Sequence, residues 1–303
     1  MTSAALATPH APLRAGETLE LSEHTSDALV PAALQELPTT TRLGRFALRE
    51  QLGVGGMGVV FAAHDRLLDR PIAIKLLHGR PGANPRVWRE ARALARVSHP
   101  NVVQIFELGE HDGRLFMAME LVAGPSLARW LGASDRSPAR ILDVFHQAGQ
   151  GLAAAHAAGL VHCDFKPANV MLGADGRVRL VDFGLARRSC EVHDPTAPDV
   201  ATRSGTPRYS SPEQRRGEPL TARSDQYSFS VALHEALASA APGPAMLRIR
   251  EVLARGLAES PTDRFPDMHT LGDALLRAST PRRRRWALAR PPGRAPACEG
   301  PRR

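Results

Sequence analysis

Between His162 and Gly184 the chain reads HCDFKPANVMLGADGRVRLVDFG, and no other stretch narrows the choice of fold as far. Asp164 and Asp182 lie on either side of a short strand–turn–strand unit, with Lys166 and Asn169 between them. These residue types suit phosphoryl transfer from ATP. One carboxylate accepts the proton of an acceptor hydroxyl, and a second holds a divalent metal on the phosphates. An amide oxygen completes the metal shell, and an ammonium neutralises charge on the transferring group.

The spacing D-x-K-x-x-x-N followed by D-F-G matches the protein-kinase catalytic loop and metal-binding motif, and the chain resembles the bacterial, eukaryotic-like Ser/Thr protein kinases. The resemblance implies an α+β, bilobal fold: a small N-terminal antiparallel sheet plus one helix, above a larger, mainly helical and here shortened C-terminal lobe. It implies Asp164 as the catalytic base, Lys166 on the γ-phosphate, and Asn169 and Asp182 as ligands of Mg²⁺, with Mn²⁺ as the alternative metal. Lys166 stands where tyrosine kinases carry A-A-R, which points to Ser and Thr acceptors on protein substrates.

The N-terminal part carries the matching nucleotide features. Phe46 to Gln51 reads as a strand, G-V-G-G-M-G-V-V (Gly53 to Val60) turns into a second, and Pro71 to His78 gives a third. A G-x-G-x-x-G match alone is weak, because dinucleotide-binding turns use the same spacing. Such a turn opens into a helix, however, whereas Val59, Val60 and Phe61 continue as a strand and Lys75 follows in A-I-K. Gly53, Gly55 and Gly58 let the backbone lie close over a triphosphate, since no Cβ intrudes. A helix from about Pro85 to Val97 contains Glu90, which the resemblance pairs with Lys75. Strands at about 102–109 and 114–120 form a hairpin around His111-Asp112-Gly113. Met119 then takes the gatekeeper position, and the backbone of the following linker binds the adenine edge. The nucleotide-binding set implied is Leu52, Gly53, Gly55, Gly58, Val60, Ala73, Lys75, Glu90, Met119, Glu120 and Val122.

Ser137-Pro138 is a helix start, an N-cap oxygen followed by proline at the first helical position. Ile141, Val144, Phe145, Ala148, Leu152 and Ala155 recur at helical spacing, and Gly159 supplies the stop. By resemblance, His162 and Phe183 pack with Leu94 and Ile105 in an apolar column between the lobes, so a core role is preferred for His162. Glu213 pairs with Arg264, Asp225 anchors the catalytic-loop backbone, and Thr206 bonds to Asp164 and Lys166. Cys163 replaces the family's usual arginine, which removes a receiver for activation-segment phosphate at Thr196, Thr202 or Ser204. Beyond Leu237 the sequence reaches Arg255-Gly256-Leu257 too soon to hold the family's extra docking helix.

The formal charge is +8. Eight arginines after residue 281 against Glu299 account for +7 of it, and residues 1–43 carry −3, so the remainder holds +4. A high pI that belongs to a tail is not a basic nucleic-acid-binding face, and no nucleic-acid partner is expected. The expected organisation is a flexible leader at 1–43, a kinase domain at 44–278 with lobes at about 44–119 and 124–278, and a basic disordered tail at 279–303. Weak contact of that tail with acidic membranes is the alternative, at about 1 kcal/mol per basic residue. No run approaches the roughly 18–20 apolar residues of a transmembrane helix, and three scattered cysteines fit a cytoplasmic protein. A kinase-shaped binding or scaffold protein, catalytically weak because its C-terminal lobe is cut short, is the competing reading.

Overall fold

The computed structural model describes residues 42–55, 58–77, 91–133, 136–183 and 207–280. Its N-terminal part is a sheet of β1 (Arg42–Leu43), β2 (Phe46–Gly55), β3 (Gly58–Asp65), β4 (Arg70–Leu77), β5 (Ile105–His111) and β6 (Arg114–Met119). Their order is β1-β2-β3-β4-β6-β5, and every neighbouring pair is antiparallel. Side chains alternate between faces along a strand. In β4 this sends Ile72, Ile74 and Leu76 into one core with Phe46, Phe61 and Phe116. Ala73 belongs instead to the core shared with the C-terminal part, and Lys75, two residues on, shares its face. The β5–β6 hairpin turns at Asp112 and Gly113, both with positive φ (+49° and +69°), as a tight two-residue hairpin turn requires.

One strand differs from the sequence expectation. Val102 and Val103 are buried and look like the start of β5, yet β5 begins only at Ile105. The backbone of 101–103 pairs with the C-terminal part: Leu180 N–H donates to Asn101 O at 2.9 Å and Val103 N–H to Leu180 O at 3.0 Å. An apolar run shows that a segment is buried, not which neighbour takes its hydrogen bonds.

The C-terminal part comprises α1 (Leu127–Gly132), α2 (Pro138–Ala157), a hairpin of β7 (Val170–Leu172) and β8 (Val178–Leu180), then α3 (Pro212–Arg215), α4 (Ala222–Ala236), α5 (Pro244–Gly256) and α6 (Met268–Ser279). Ser137 caps α2 by accepting from Arg140 N, all six apolar positions read from the spacing are buried, and Gly159 ends it at φ +76°. Residues 91–95 are helical, while the rest of the helix expected from Pro85, Glu90 included, lies outside the described residues.

The central helix, α4, is buried despite its polar sequence. Ser224, Asp225, Gln226, Ser228 and Ser230 are all buried along with Phe229 and Leu233. A buried polar group is costly unless it is hydrogen-bonded. Thr221 and Ser224 close a capping box at its N-terminus, Gln226 donates to Phe265 O at 3.0 Å, and Asp225 reaches the loop after α2. Residues 237–243 alone join α4 to α5, in keeping with the short spacing in the sequence. The lower part is thus built on α4, and the loop bearing Asp164 rests against it.

Candidate active site

The loop after α2 has to turn sharply, and it does so at Cys163, whose φ is +61°. A non-glycine residue in that region costs of order 1–3 kcal/mol and persists only where its surroundings over-determine it. Here they do. The buried carboxylate of Asp225 accepts from His162 N at 2.7 Å and Cys163 N at 2.9 Å. His156 Nε2 contacts the same carboxylate at 2.7 Å. Gln214, on α3, donates its side-chain amide to Cys163 O at 3.0 Å. Cys163 itself is buried. The anchoring role expected of Asp225 is therefore observed, while His156 and Gln214 went unread. Neither carries a spacing signal that would point from its own helix to this loop.

His162 is fully buried and binds both halves of the site. Its Nδ1 accepts from Asp164 N at 3.3 Å and its Nε2 lies 3.1 Å from Val181 O. The acceptor role of Nδ1 leaves the proton on Nε2, so the ring is neutral and both nitrogens are satisfied. Burial pushes its pKa below the ordinary imidazole value, against the opposing pull of Asp225 and Asp164. The ring stacks near Phe183, centroids 4.5 Å apart, and Phe183 shares a core with Leu94 and Ile105, as expected of the interlobe column.

Of the residues named for chemistry, the structure brings together Asp164, Lys166, Asn169, Asp182 and Lys75. Asn169 donates Nδ2 to Asp164 O at 2.9 Å and to Asp164 Oδ2 at 3.2 Å. Lys166 Nζ is 3.3 Å from the same Oδ2. Val181 N–H donates to Asn169 O at 3.0 Å, so the residue before Asp182 is tied to Asn169. Asp182 Oδ1 accepts from Lys75 Nζ at 2.8 Å, a contact that spans the two parts of the molecule. Burial pushes the Asp182 pKa upward, but the charge and hydrogen bond of Lys75, helped by His162 and Lys166, prevail and hold it below the usual carboxylate range. Asp164 and Asp182 keep 22% and 30% of their side chains exposed, so both remain open to a ligand.

The donor set fits a hard divalent cation. Both amide protons of Asn169 face Asp164, which leaves its carbonyl oxygen as the acceptor, and Asp182 offers a second oxygen. Among the described residues no three His, Cys, Asp or Glu side chains converge.

In the β2–β3 hairpin, Gly55 and Gly58 differ in what a side chain would meet. A Cβ on Gly55 would meet nothing within 4 Å among the described residues. A Cβ on Gly58 would lie 1.9 Å from Leu76 O, so β4 demands that glycine whatever the ligand. Val60 sits opposite Lys75 and Met119 opposite Ala73 in the sheet register. Leu52 and Gly53 occupy partly buried positions on β2. Glu120 and Val122 follow β6, with Glu120 N donating to Gln104 O at 2.9 Å.

A second anchor lies behind the loop. Arg264 and Glu213 form a fully buried two-pronged pair, both contacts at 2.8 Å. Although burial opposes it, the Arg264 bonds lower the Glu213 pKa to about 2. Glu213 stands next to Gln214, so the pair and the loop contact reinforce each other. Thr196, Thr202, Ser204 and Thr206 lie outside the described residues.

A curled sheet sits over a helical base, with a lysine–aspartate contact between the two and a second aspartate braced by an asparagine. Residues 46–262 match the protein kinase domain, and the chain belongs to the protein kinase family. It is similar to the serine/threonine-protein kinase pkn2 of Myxococcus xanthus, 39% identical over 206 residues, covering 66% of this chain and 25% of that protein. Serine/threonine-protein kinase PknE of Mycobacterium tuberculosis is 34% identical over 254 residues, 74% of this chain and 44% of that protein. Among solved structures, the M. tuberculosis PknI kinase domain superposes with a TM-score of 0.65 at 26% identity, covering 80% of this chain and all of that one. The chain thus spans less than half the length of these two curated relatives. No helix among the described residues is long and apolar enough to cross a membrane.

Proposed function

We propose that this protein is a Ser/Thr protein kinase that transfers the γ-phosphoryl group of Mg-ATP to Ser or Thr hydroxyls of proteins, itself included, in cytoplasmic signalling. The observation that carries this reading is the grouping of Asp164 with Lys166 and Asn169 beside the Lys75–Asp182 pair, with both aspartates partly exposed. The kinase domain spans 44–278, with a leader before it and a basic tail after it. The described elements run slightly past those bounds, from β1 at Arg42, which pairs with β2, to α6 ending at Ser279.

The residues divide the work. Asn169 and Asp182 would hold the metal, which when bound would neutralise charge on the phosphates. Lys75 keeps Asp182 ionised, and the family resemblance assigns it to the α- and β-phosphates. Asp164 orients the acceptor hydroxyl and takes its proton, and the neighbouring Lys166 steadies the transferring group. The loop cannot relax away from this geometry, because Asp225, His162 and Gln214 hold its backbone. A positioned general base contributes about 10²–10⁴ in rate.

The short 237–243 connection favours a second reading, a kinase-shaped binding protein with weak catalysis. One assay separates the two. Purified chain is incubated with ATP, Mg²⁺ and generic protein substrates, and phosphorylated residues are mapped by mass spectrometry. Phosphate on Ser or Thr, lost on chelation of the metal, is the expected result. Well-folded protein that binds ATP yet labels neither itself nor any substrate establishes the binding reading instead.

A further inference from the structure

The linker after β6 does not run free between the two parts of the molecule. Ala174 N donates to Ala123 O at 2.7 Å and Leu172 N to Pro125 O at 2.9 Å, and Ser126 bridges to Met171. Gly124, at φ +151°, passes so close that a Cβ there would lie 1.9 Å from Leu172 O. At the start of the linker a side chain completes the seam. Arg179, on β8 and 12% exposed, places Nε 2.6 Å from Glu120 Oε1 and Nη2 2.8 Å from Asp175 Oδ2. Its Nη1 donates to Asp175 Oδ1 at 3.0 Å. The Asp175 carboxyl is held well below the usual range by the Arg179 hydrogen bonds.

One planar guanidinium therefore serves two carboxylates along different edges, a task that a lysine ammonium performs poorly. Arg179 lies three residues ahead of Asp182 in the strand leading to it. Glu120 opens the segment assigned above to the adenine edge. A nucleotide bound at both ends needs the separation of those ends set in advance, since ordering them on binding would cost affinity.

We propose that Arg179 is a positioning residue that latches the linker at Glu120 to the β7–β8 hairpin, and so sets the distance between the adenine end and the metal end of the nucleotide site. The proposal rests on the ATP-binding reading given above. It makes Arg179 a determinant of affinity for two-ended ligands, with no contact of its own to the nucleotide.

Titration of the full chain with Mg-ATP and with adenosine, which occupies the linker end alone, tests it. Arg179→Met weakens Mg-ATP by about fivefold or more, a modest inter-site coupling, and changes adenosine affinity by less than about twofold. Arg179→Lys, which retains the charge and guards against loss of folding, falls between parent and Arg179→Met. Asp175→Asn, which leaves the Glu120 contact in place, stays near the parent. Parental Mg-ATP affinity in both Arg179 variants overturns the latch, as does an equal loss for adenosine or for Asp175→Asn. A parent chain that binds no ATP removes the nucleotide reading itself, a result distinct from all of these.

Discussion

The two rims of the cleft are built in opposite ways. The lower rim, residues 162–183, is pinned by side chains that bond to backbone: Asp225 to two amides, His162 to Asp164 N and Val181 O, and Gln214 to Cys163 O. The upper rim, the β2–β3 hairpin, is held by its strand ladder, which is itself irregular between Leu48 and Gly53. It offers a ligand the absence of side chains rather than their presence. The difference suits the tasks proposed above for the two sides. Proton acceptance and metal binding need fixed atoms, whereas covering a phosphate chain needs only close backbone.

The largest break in this contrast should come from Asp225→Ala. It strands two buried amides at once, each costing about 1–3 kcal/mol, and releases the strained Cys163 turn. Urea denaturation should show a loss of at least about 2 kcal/mol. A loss under about 1 kcal/mol would mean that the loop holds itself.

Next in size, the upper rim should separate its own glycines. Gly58→Ala forces a Cβ against Leu76 O and should cost about 1–3 kcal/mol through overpacking. Gly55→Ala meets open space and should change stability by no more than about 0.5 kcal/mol, while raising KM for ATP. Equal destabilisation by both would erase the distinction between a glycine required by β4 and one required by the ligand.

The smallest effect is a pH limb. His162 has a folded pKa below its unfolded value, near 6.5. The unfolded chain therefore takes up a proton that the native state refuses, so stability is full above pH 6.5 and falls as pH drops below it. His99 is also depressed by burial and shares the window. Asp182 and Glu213 are also shifted downward, and their contributions fade only at lower pH, below the ordinary carboxylate values near 4. Between pH 7.5 and 5.5 the Tm should drop by about 2–4 °C. That drop should survive His99→Gln and shrink in His162→Gln.

How far the fold was readable follows the same division. The lower rim's chemistry sits in one contiguous motif, so Asp164, Lys166, Asn169 and Asp182 could be named before any coordinates. The Glu213–Arg264 pair and the anchoring Asp225 were reached through family resemblance, since no local periodicity links residues so far apart. His156, Gln214 and Arg179 were not reached. Each acts through a bond to another element's backbone or charge, and in sequence looks like an ordinary polar residue on a helix or strand. The misplacement of β5 has the same origin, because Val102 and Val103 read as strand while their backbone pairs with β8. Gly58 was read as a phosphate-loop glycine, though contact with β4 is enough to require it.

The central claim is that the two acidic residues do different jobs, Asp182 holding the nucleotide's metal and Asp164 serving only the chemical step. The most direct measurement compares Asp164→Asn with the parent chain for Mg-ATP affinity and for the rate of phosphate transfer to Ser or Thr. The account predicts unchanged affinity and a rate lower by about 10²–10⁴. A variant that transfers phosphate at the parental rate would contradict it.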